Sequence, residues 1–337
     1  MTSATSYTFD HLERMSDARG LFEHAQQIER RIEHGYCTDD NARLLVVASR
    51  EPDTGAPRHL SRLALRFVLD AQDSVGRSRN RLDHSGHWTD RASTKDWWGR
   101  AVWGLGVAAV HHGDAQVRGQ AMAGFARAAT RRSRWPRSMA FATLGAADVA
   151  LADPGDRASR ALLGDALAVM PSRPMSASWR WPEARLAYAN ATMAEAVIAA
   201  AAALGRPDEL ERGLSMLAWL LELETAPGHL SVTGAAGRCA TDRGPQFDQQ
   251  PIEVAALADA CWRAYSLTNE QRWADGIAAA AAWFAGVNDV GLVMHDEISG
   301  GGYDGLHDDR VNENQGAEST LAYISTMQRA RSFVAAS

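Results

Sequence analysis

The chain has 337 residues, a formal net charge of −6 at pH 7, and a composition that is 46% hydrophobic and 23% charged, which is typical of a soluble globular protein with a sizeable core. The acidic balance and the lack of any run of Lys and Arg argue against general nucleic-acid binding. Three widely spaced cysteines without a CxxC pair support neither a disulfide framework nor a zinc site, and we expect neither a metal nor a cofactor.

The start of the chain has neither the basic residues nor the apolar core of a signal peptide. The longest apolar segment, residues 194–204, contains Glu195 and falls short of the ~18 residues that a membrane span needs. We therefore expect a cytoplasmic protein without a membrane span.

Apolar periodicity predicts helices along the whole chain. Residues 10–31 have a rough 3.6-residue period and predict an amphipathic helix or a helix pair. Strand character is confined to two short pieces, near residues 230–232 and 292–294. Six segments are apolar on nearly every side and begin near residues 40, 97, 138, 185, 250 and 315. Between them lie amphipathic segments at residues 59–72, 115–132, 156–169, 207–223 and 270–286.

A helix that is apolar on every side must be buried, whereas a helix with one apolar stripe lies at the surface. Twelve helices that alternate in this way predict an all-α fold, a single (α/α)6 toroid of six inner and six outer helices. We expect residues 1–337 to form one such domain. The inner helices of a toroid run in one direction, so we expect their polar N-terminal ends to gather in one funnel.

The densest polar end lies at residues 35–43, with the sequence GYCTDDNAR, directly before an apolar run. It contributes two carboxylates, an amide and a guanidinium group. Thr38 and Asp39 are both good N-cap residues, so capping accounts for one of them as readily as a binding site does. Asp248 and Glu253 likewise suit capping and compensation of the helix dipole.

Taken together, the six ends supply the residue types of a carbohydrate site. Amides and carboxylates bind hydroxyl groups, and aromatic faces pack on sugar rings. We expect the following residues to bind substrate: Asp39, Asn41, Arg43, Asp96, Trp97, Trp98, Arg100, Trp181, Arg185, Tyr188, Asn190, Gln249, Gln250, Glu253, Asp304, Asn314, Gln315 and Glu318.

Cleavage of a glycosidic bond needs two carboxyl groups, one protonated as acid and one ionised as base or nucleophile. Opposed inner helices would set Asp40 against Glu183, and Asp248 is the third candidate. Neighbouring carboxylates raise one another's pKa, which keeps an acid protonated at neutral pH. We expect Asp40 with Glu183 or Asp248 to carry the acid and base roles, most simply with inversion.

Three blocks carry a resemblance: residues 35–43, residues 247–253 (FDQQPIE) and residues 314–320 (NQGAEST). They look like the signature blocks of a bacterial family commonly labelled "glycosyltransferase" and often encoded near, or fused to, genuine glycosyltransferases. The similarity extends over about residues 20–330. The chain has no βαβ nucleotide-sugar pattern and no GxGxxG, so we attribute that label to the fusion partners. The wider resemblance is to (α/α)6 glycoside hydrolases, which implies a carbohydrate-active enzyme without identifying its substrate or bond. The gene neighbours of the bacterial family suggest a glycosyltransferase as a partner.

The primary expectation is a hydrolase for a short oligosaccharide or glycoconjugate, and three alternatives stay open. In phosphorolysis, Arg43, Arg100 and Arg185 would bind phosphate. Lyase or epimerase chemistry would need a His or Tyr base, for which Tyr188 and His84 are the candidates. A non-catalytic glycan-binding subunit of a glycosyltransferase system is the third.

Overall fold

The computed structural model describes residues 7–336, with side chains as far as residue 333. Within that part of the chain there are twelve α-helices, one short 3₁₀ turn and eight strands of two residues each, which confirms the predicted all-α class. The helices are α1 (Asp10–Arg14), α2 (Thr38–Ser49), α3 (Gly55–Ala71), α4 (Asp96–His111), α5 (Ala115–Ala128), α6 (Pro136–Ala152), α7 (Arg157–Val169), α8 (Asn190–Leu204), α9 (Pro207–Thr225), α10 (Pro251–Thr268), α11 (Gln271–Phe284) and α12 (Ala317–Ala336).

The strands form four two-stranded antiparallel sheets between or beside the helices. Neither of the two pieces predicted to have strand character, near residues 230–232 and 292–294, forms one of these strands. The pairs are β1 (Ala25–Gln26) with β2 (Glu29–Arg30), β3 (Tyr36–Cys37) with β4 (Arg81–Leu82), β5 (Arg185–Leu186) with β6 (Arg238–Cys239), and β7 (Gly305–Leu306) with β8 (Val311–Asn312).

The predicted helix or helix pair over residues 10–31 is wrong beyond the end of α1. The Asp17 carboxylate accepts hydrogen bonds from the backbone N–H groups of Arg19, at 2.8 Å, and Gly20, at 3.3 Å. Such an Asx turn offers the backbone an alternative to the helix, and the chain then continues into the β1–β2 hairpin. Asp17 is therefore a local stop signal that the apolar period does not register.

The chain divides into two compact units. The N-terminal unit comprises Phe9–Met170 and Ala199–Pro207. The C-terminal unit comprises residues 7–8, Pro171–Ile198 and the described residues from Asp208 onward. The single domain expected over residues 1–337 stays a prediction.

Burial in the N-terminal unit follows the predicted alternation of helices. Helix α2 buries eleven of its twelve residues, whereas α3 buries eight of 17. Helix α4 packs against both α2 and α6. The approach to α6 is close because two glycines face each other: a Cβ added to Gly106 would lie 2.5 Å from Gly145 Cα. This packing holds the polar N-terminal end of α4 beside that of α2.

In the C-terminal unit, α10 packs against α11 and α12. The segments between the helices carry β5 to β8 and most of the polar side chains described below. No helix in the described part of the chain combines the length and the hydropathy needed to traverse a bilayer.

Candidate active site

In the N-terminal unit, the polar ends of α2 and α4 are joined by a network around Asp39. Arg100 donates a hydrogen bond to one Asp39 oxygen at 2.8 Å, and Asn80 donates to the other at 3.1 Å. Asp96 Oδ2 lies 4.0 Å from the same guanidinium group. The guanidinium carbon of Arg100 also lies 4.2 Å from the centroid of the Phe141 ring. The structure thus brings the predicted residues Asp39, Asp96 and Arg100 together.

Asp40, the first carboxylate predicted to be catalytic, is enclosed. It accepts a hydrogen bond from Arg43 at 2.7 Å, and the two side chains are only 4% and 6% exposed. The Cys37 thiol donates to the other oxygen at 3.0 Å and stays protonated, because burial, and then the charges of Asp40 and Asp39, raise its pKa. Cys37 is also the N-cap of α2, so the expectation that Thr38 or Asp39 caps this helix is wrong.

Two further predicted residues at this end are fully buried, Asn41 and Trp98. The Asn41 amide accepts from the backbone N–H of Leu21 at 3.0 Å and donates to the carbonyls of Leu21 and Cys37 at 3.2 and 2.8 Å. Trp97 is half-buried and donates its indole N–H to the Ser78 carbonyl at 2.7 Å. Asn41 and Trp98 therefore hold the fold together, whereas Trp97 keeps exposed surface.

One group of side chains in the described residues has the composition of a metal site: Glu23, Cys37 and Asp40, with ligand atoms within 4.8 Å of one another. Each carboxylate already binds a guanidinium group, Glu23 that of Arg81 and Asp40 that of Arg43. A cation would have to displace both arginines and the thiol proton. The three residues fit a hydrogen-bonded cluster better than a metal centre.

In the C-terminal unit, Asp248 is positioned by a short backbone pairing. The backbone of the next residue, Gln249, donates to the Leu306 carbonyl at 3.0 Å and accepts from the Leu306 N–H at 2.9 Å. This pairing sets the Asp248 carboxyl group against Gly305, where a Cβ would collide with Asp248 Oδ1. That oxygen is buried and accepts no hydrogen bond in the described structure, and Nδ1 of His307 lies 3.8 Å away.

The same pairing brings Asp304 close to Asp248. Burial raises the pKa of Asp248, and the charge of His307 opposes this in part. Burial raises the pKa of Asp304 to about 6, hydrogen bonds from Ser319 and Gly316 oppose the rise, and the charges of Glu318 and Asp248 add to it. The Ser319 hydroxyl and the Gly316 N–H both donate to Asp304 Oδ1, at 2.5 and 2.8 Å. Two carboxyl groups with raised pKa values thus lie on the paired segments, and the charge of Asp248 contributes to the pKa of Asp304.

Two predicted glutamines of this unit, Gln249 and Gln315, are buried. The Gln249 amide accepts from the Trp283 indole at 3.2 Å and donates to Asp289 at 2.5 Å. The Gln315 amide accepts from the Ser299 hydroxyl at 2.5 Å. Both side chains make their contacts inside the protein, so we assign them to support of the site rather than to substrate.

Glu253 of α10 provides a cap for α8. Its carboxylate accepts from the backbone N–H of Ala189 at 2.5 Å and of Asn190 at 3.4 Å, at the start of that helix. Its charge also contributes to the raised pKa of Glu224, which burial raises to about 7 against two hydrogen bonds from Thr233. Neither the buried Glu224 nor His307 was predicted as a site residue, since one lies on an amphipathic helix and the other in a loop without a motif.

Glu183, the second predicted catalytic carboxylate, lies on a tryptophan-rich loop. It is half-buried and accepts from the Trp181 indole at 3.3 Å. Trp181 is fully buried and stacked on Trp219, with ring centroids 6.1 Å apart, so it has no free face for a sugar ring. The described contacts of Glu183 connect it to this loop, and its catalytic role stays a prediction.

Among the remaining predicted residues of the C-terminal unit, Asn190 is buried at the start of α8, and the others keep exposed surface. Arg185 donates to the Ala236 carbonyl, and the neighbouring Ala235 N–H donates to the Asp248 carbonyl at 2.7 Å, so Arg185 is held near Asp248. Asp304 donates its backbone N–H to the Asn314 carbonyl at 2.8 Å. Tyr188 is 47% exposed. The half-buried ones are Gln250, Asn314 and Glu318.

Solved structures with the same chain path identify the fold as an (α/α)6 toroid. The cellobiose 2-epimerase from Bacillus thermoamylovorans B4167 matches 96% of each chain with a TM-score of 0.73 and 9% identity. A D-mannose isomerase matches 99% of this chain and 100% of its own with a TM-score of 0.69 and 11% identity. An alpha-amylase from Clostridium perfringens matches 97% of each chain with a TM-score of 0.63 and 11% identity. No family model and no curated protein matches the chain.

Proposed function

We propose that the protein is a carbohydrate-active enzyme that cleaves a glycosidic bond, with Asp248 and Asp304 as its catalytic carboxyl groups. The observation that carries this proposal is geometric: Asp248 Oδ1 is buried without a hydrogen bond and lies against Gly305, the sequence neighbour of Asp304, and burial raises the pKa of both groups. Acid–base cleavage near neutral pH needs one carboxyl group that keeps its proton. The similarity to an alpha-amylase, a glycosidase with the same fold, supports the proposal.

The hydrogen bonds distinguish the two roles. Asp248 Oδ1 is buried without a donor, which favours the protonated form, and its side chain is 31% exposed, so it can reach a substrate. Asp304 accepts two hydrogen bonds, which favour its carboxylate and oppose the effect of burial; its pKa of about 6 leaves it mostly ionised at pH 7, as a base must be. In the proposed step Asp248 gives its proton to the leaving oxygen as the C–O bond breaks. Asp304 takes a proton from the water whose oxygen bonds to the anomeric carbon.

Substrate contact falls to the predicted residues that keep exposed side-chain surface. Asp40, Arg43, Asn41 and Trp98 are omitted from this set because they are buried in the N-terminal unit. The proposed set is Arg185, Tyr188, Gln250, Asn314 and Glu318 of the C-terminal unit, the unit that also holds Asp248 and Asp304.

The test is turnover of a panel of oligosaccharides and glycoconjugates, with products identified by mass spectrometry. We expect shorter sugars from the wild type and at least about a 10³-fold loss in both Asp248→Asn and Asp304→Asn. Absence of any shorter sugar across the panel would overturn the proposal. Phosphorolysis is less favoured, because Arg43 and Arg100 are buried and bound to carboxylates, which leaves only Arg185 of the three predicted phosphate ligands. The same assay excludes it if phosphate does not alter the products.

A second candidate is sugar epimerisation or isomerisation, which His307 favours. It lies 3.8 Å from Asp248, whereas the bases expected from sequence, Tyr188 and His84, are both exposed. Two of the solved structures of similar fold are a cellobiose 2-epimerase and a D-mannose isomerase. A base beside an acid would move a proton on the carbon next to the sugar carbonyl. Turnover in D2O separates the two functions. Epimerisation or isomerisation leaves the number of sugar units unchanged and places deuterium on a sugar carbon, whereas cleavage of a glycosidic bond does neither.

A further inference from the structure

A buried chain of hydrogen bonds that the proposed reaction does not use lies behind Asp248. The Gln249 side-chain amide donates to Asp289 Oδ2 at 2.5 Å, and Asp289 Oδ1 pairs with His229 Nε2 at 2.9 Å. The Asp289 side chain is only 3% exposed, and that of His229 is 27% exposed. The chain therefore runs from a partly exposed histidine to the residue that follows Asp248.

The orientation of the Gln249 amide is fixed by its second partner. The Trp283 indole only donates, so the Gln249 oxygen faces Trp283 and the Gln249 NH₂ group faces Asp289. Position 289 must therefore supply an acceptor. A buried amide without an acceptor loses the hydrogen bond that compensates for its burial, which favours a turn of the side chain or a shift of its backbone.

The Gln249 backbone is what sets the geometry of the proposed catalytic pair. Its two hydrogen bonds with Leu306 bring Asp248 level with Gly305 and hence beside Asp304. A shift of about 1 Å at a catalytic group can cost about 10²-fold in rate. Contacts that hold Gln249 in place thereby act on the separation of the two carboxyl groups.

We propose that Asp289 is a positioning residue for the Asp248–Asp304 site: it anchors the Gln249 amide, and His229 in turn anchors Asp289. The kinetic part of this inference rests on the proposed function. The structural part, the anchoring of the Gln249–Leu306 pairing, does not.

The test compares Asp289→Leu with Asp289→Asn in the full chain. Leucine removes the acceptor, whereas the asparagine oxygen still accepts from Gln249 and its NH₂ group donates to the other tautomer of His229. The matched control is Asp259→Asn, a change at another buried carboxylate of this unit, which accepts from Arg329 at 2.5 Å and from Ser325 at 3.1 Å. It controls for a general loss of stability.

Two readouts are measured: backbone amide hydrogen exchange at Gln249 and Leu306, and the separate values of kcat and KM. For Asp289→Leu we expect exchange at least about tenfold faster at both amides, and a kcat lower by about 10- to 100-fold with KM within about twofold. For Asp289→Asn both readouts stay within about 1.5-fold of the wild type. Asp259→Asn lowers Tm without changing exchange at these two amides.

Unchanged exchange at Gln249 and Leu306 in folded Asp289→Leu overturns the proposal, whatever the substrate. Faster exchange without wild-type turnover of any sugar supports the anchoring and defeats the proposed function, so the two failures are distinguishable. If Asp289→Leu does not fold, His229→Phe replaces it, since this change leaves Asp289 with one partner fewer. About threefold faster exchange is then expected, and no change would overturn the proposal.

Discussion

The carboxyl groups at the polar end of α2 and those of the candidate site in the C-terminal unit differ in their partners. In the N-terminal unit, Asp39 and Asp40 each bind a guanidinium group at 2.7–2.8 Å. In the C-terminal unit, Asp248 and Asp304 have no arginine partner among the described contacts, and their pKa values are raised by burial. The shifted carboxyl pKa values of the described N-terminal unit are all lowered, those of Glu33, Asp53, Asp73, Asp83 and Asp114.

This difference separates structural carboxylates from reactive ones. A carboxylate held by a cation stays ionised and stabilises its surroundings, whereas a buried one without a cation keeps a proton that it can transfer. Asp296 is the exception in the C-terminal unit: burial raises its pKa, but hydrogen bonds from Ile298, Ser299 and Gln315 lower it further. The polar end with the most charged groups is therefore not the best candidate for catalysis.

The largest expected effect contrasts Asp248 with Asp40. Asp248→Asn should lose about 10³- to 10⁴-fold in kcat with little change in Tm, because it removes the proposed acid and no ion pair with arginine. The matched change Asp40→Asn should keep kcat within about tenfold, since Asp40 is enclosed and does not contact substrate in this account. Steady-state kinetics of both variants measure this difference. A large loss of kcat in Asp40→Asn together with a small one in Asp248→Asn would contradict it.

The next effect concerns stability in the N-terminal unit. Asp40→Ala should lower the free energy of unfolding by about 3–5 kcal/mol, because it leaves the Arg43 guanidinium buried without its carboxylate. Urea denaturation followed by circular dichroism measures this. The double variant Asp40→Leu with Arg43→Met should recover most of the loss, and a single-variant loss below about 1 kcal/mol would contradict a structural role for the pair.

For Glu224 of the C-terminal unit, removal of the carboxylate is expected to stabilise the protein, unlike removal of Asp40, and the gain should depend on pH. Its pKa is about 7 in the folded protein against 4.5 for the free side chain, so the folded state binds the proton more tightly. Stability is then lost as pH rises from 4.5 to 7. Glu224→Gln should therefore stabilise the protein at pH 8 by about 3 kcal/mol, and the gain should disappear near pH 4.5.

The control for Glu224 is Asp53→Asn in the N-terminal unit. The hydrogen bond from Arg62 lowers the pKa of Asp53 below its usual 3.8, so its stabilisation is present above pH 3.8 and is lost as pH falls through the folded value. Asp53→Asn should therefore destabilise at pH 7. Thermal unfolding across pH 2 to 8 tests both signs, and a pH-independent gain in Glu224→Gln would refute the assignment.

The smallest effect tests the fit between Asp248 and Gly305. Gly305→Ala places a methyl group against the Asp248 carboxyl and should lower kcat by about tenfold with Tm nearly unchanged. Gly119→Ala in α5 is the control, because no atom lies within 4 Å of the added Cβ. It should leave kcat unchanged and stabilise by about 0.5–1 kcal/mol. An equal kcat in the two variants would contradict the claim that Gly305 positions the Asp248 carboxyl group.

Much of the fold is predictable from the sequence because the buried faces of helices consist mostly of apolar residues, whose spacing shows how much of each helix is buried. Helices such as α2, buried on every side, and α3, buried on one face, differ visibly in composition. The segment after α1 was mispredicted because a single side chain, that of Asp17, ends the helix. The two-residue strands are too short to show a period, yet β7 is the element that sets Asp304 beside Asp248.

The site was predictable in part. Polar residues at helix starts point to Asp248, and the glycine-rich loop before α12 points to Asp304. Which carboxylate is paired and which is not depends on partners distant in sequence, such as Arg100 for Asp39 and Leu306 for the residue after Asp248. A sequence pattern does not reveal such pairings.

The most direct test of the central claim is a crystal structure of Asp248→Asn soaked with oligosaccharides, in which the substrate stays uncleaved. We expect a glycosidic oxygen within hydrogen-bond distance of the side chain of residue 248 and a water or sugar atom within hydrogen-bond distance of Asp304. A bound sugar that contacts Asp40 and leaves residues 248 and 304 untouched would contradict it.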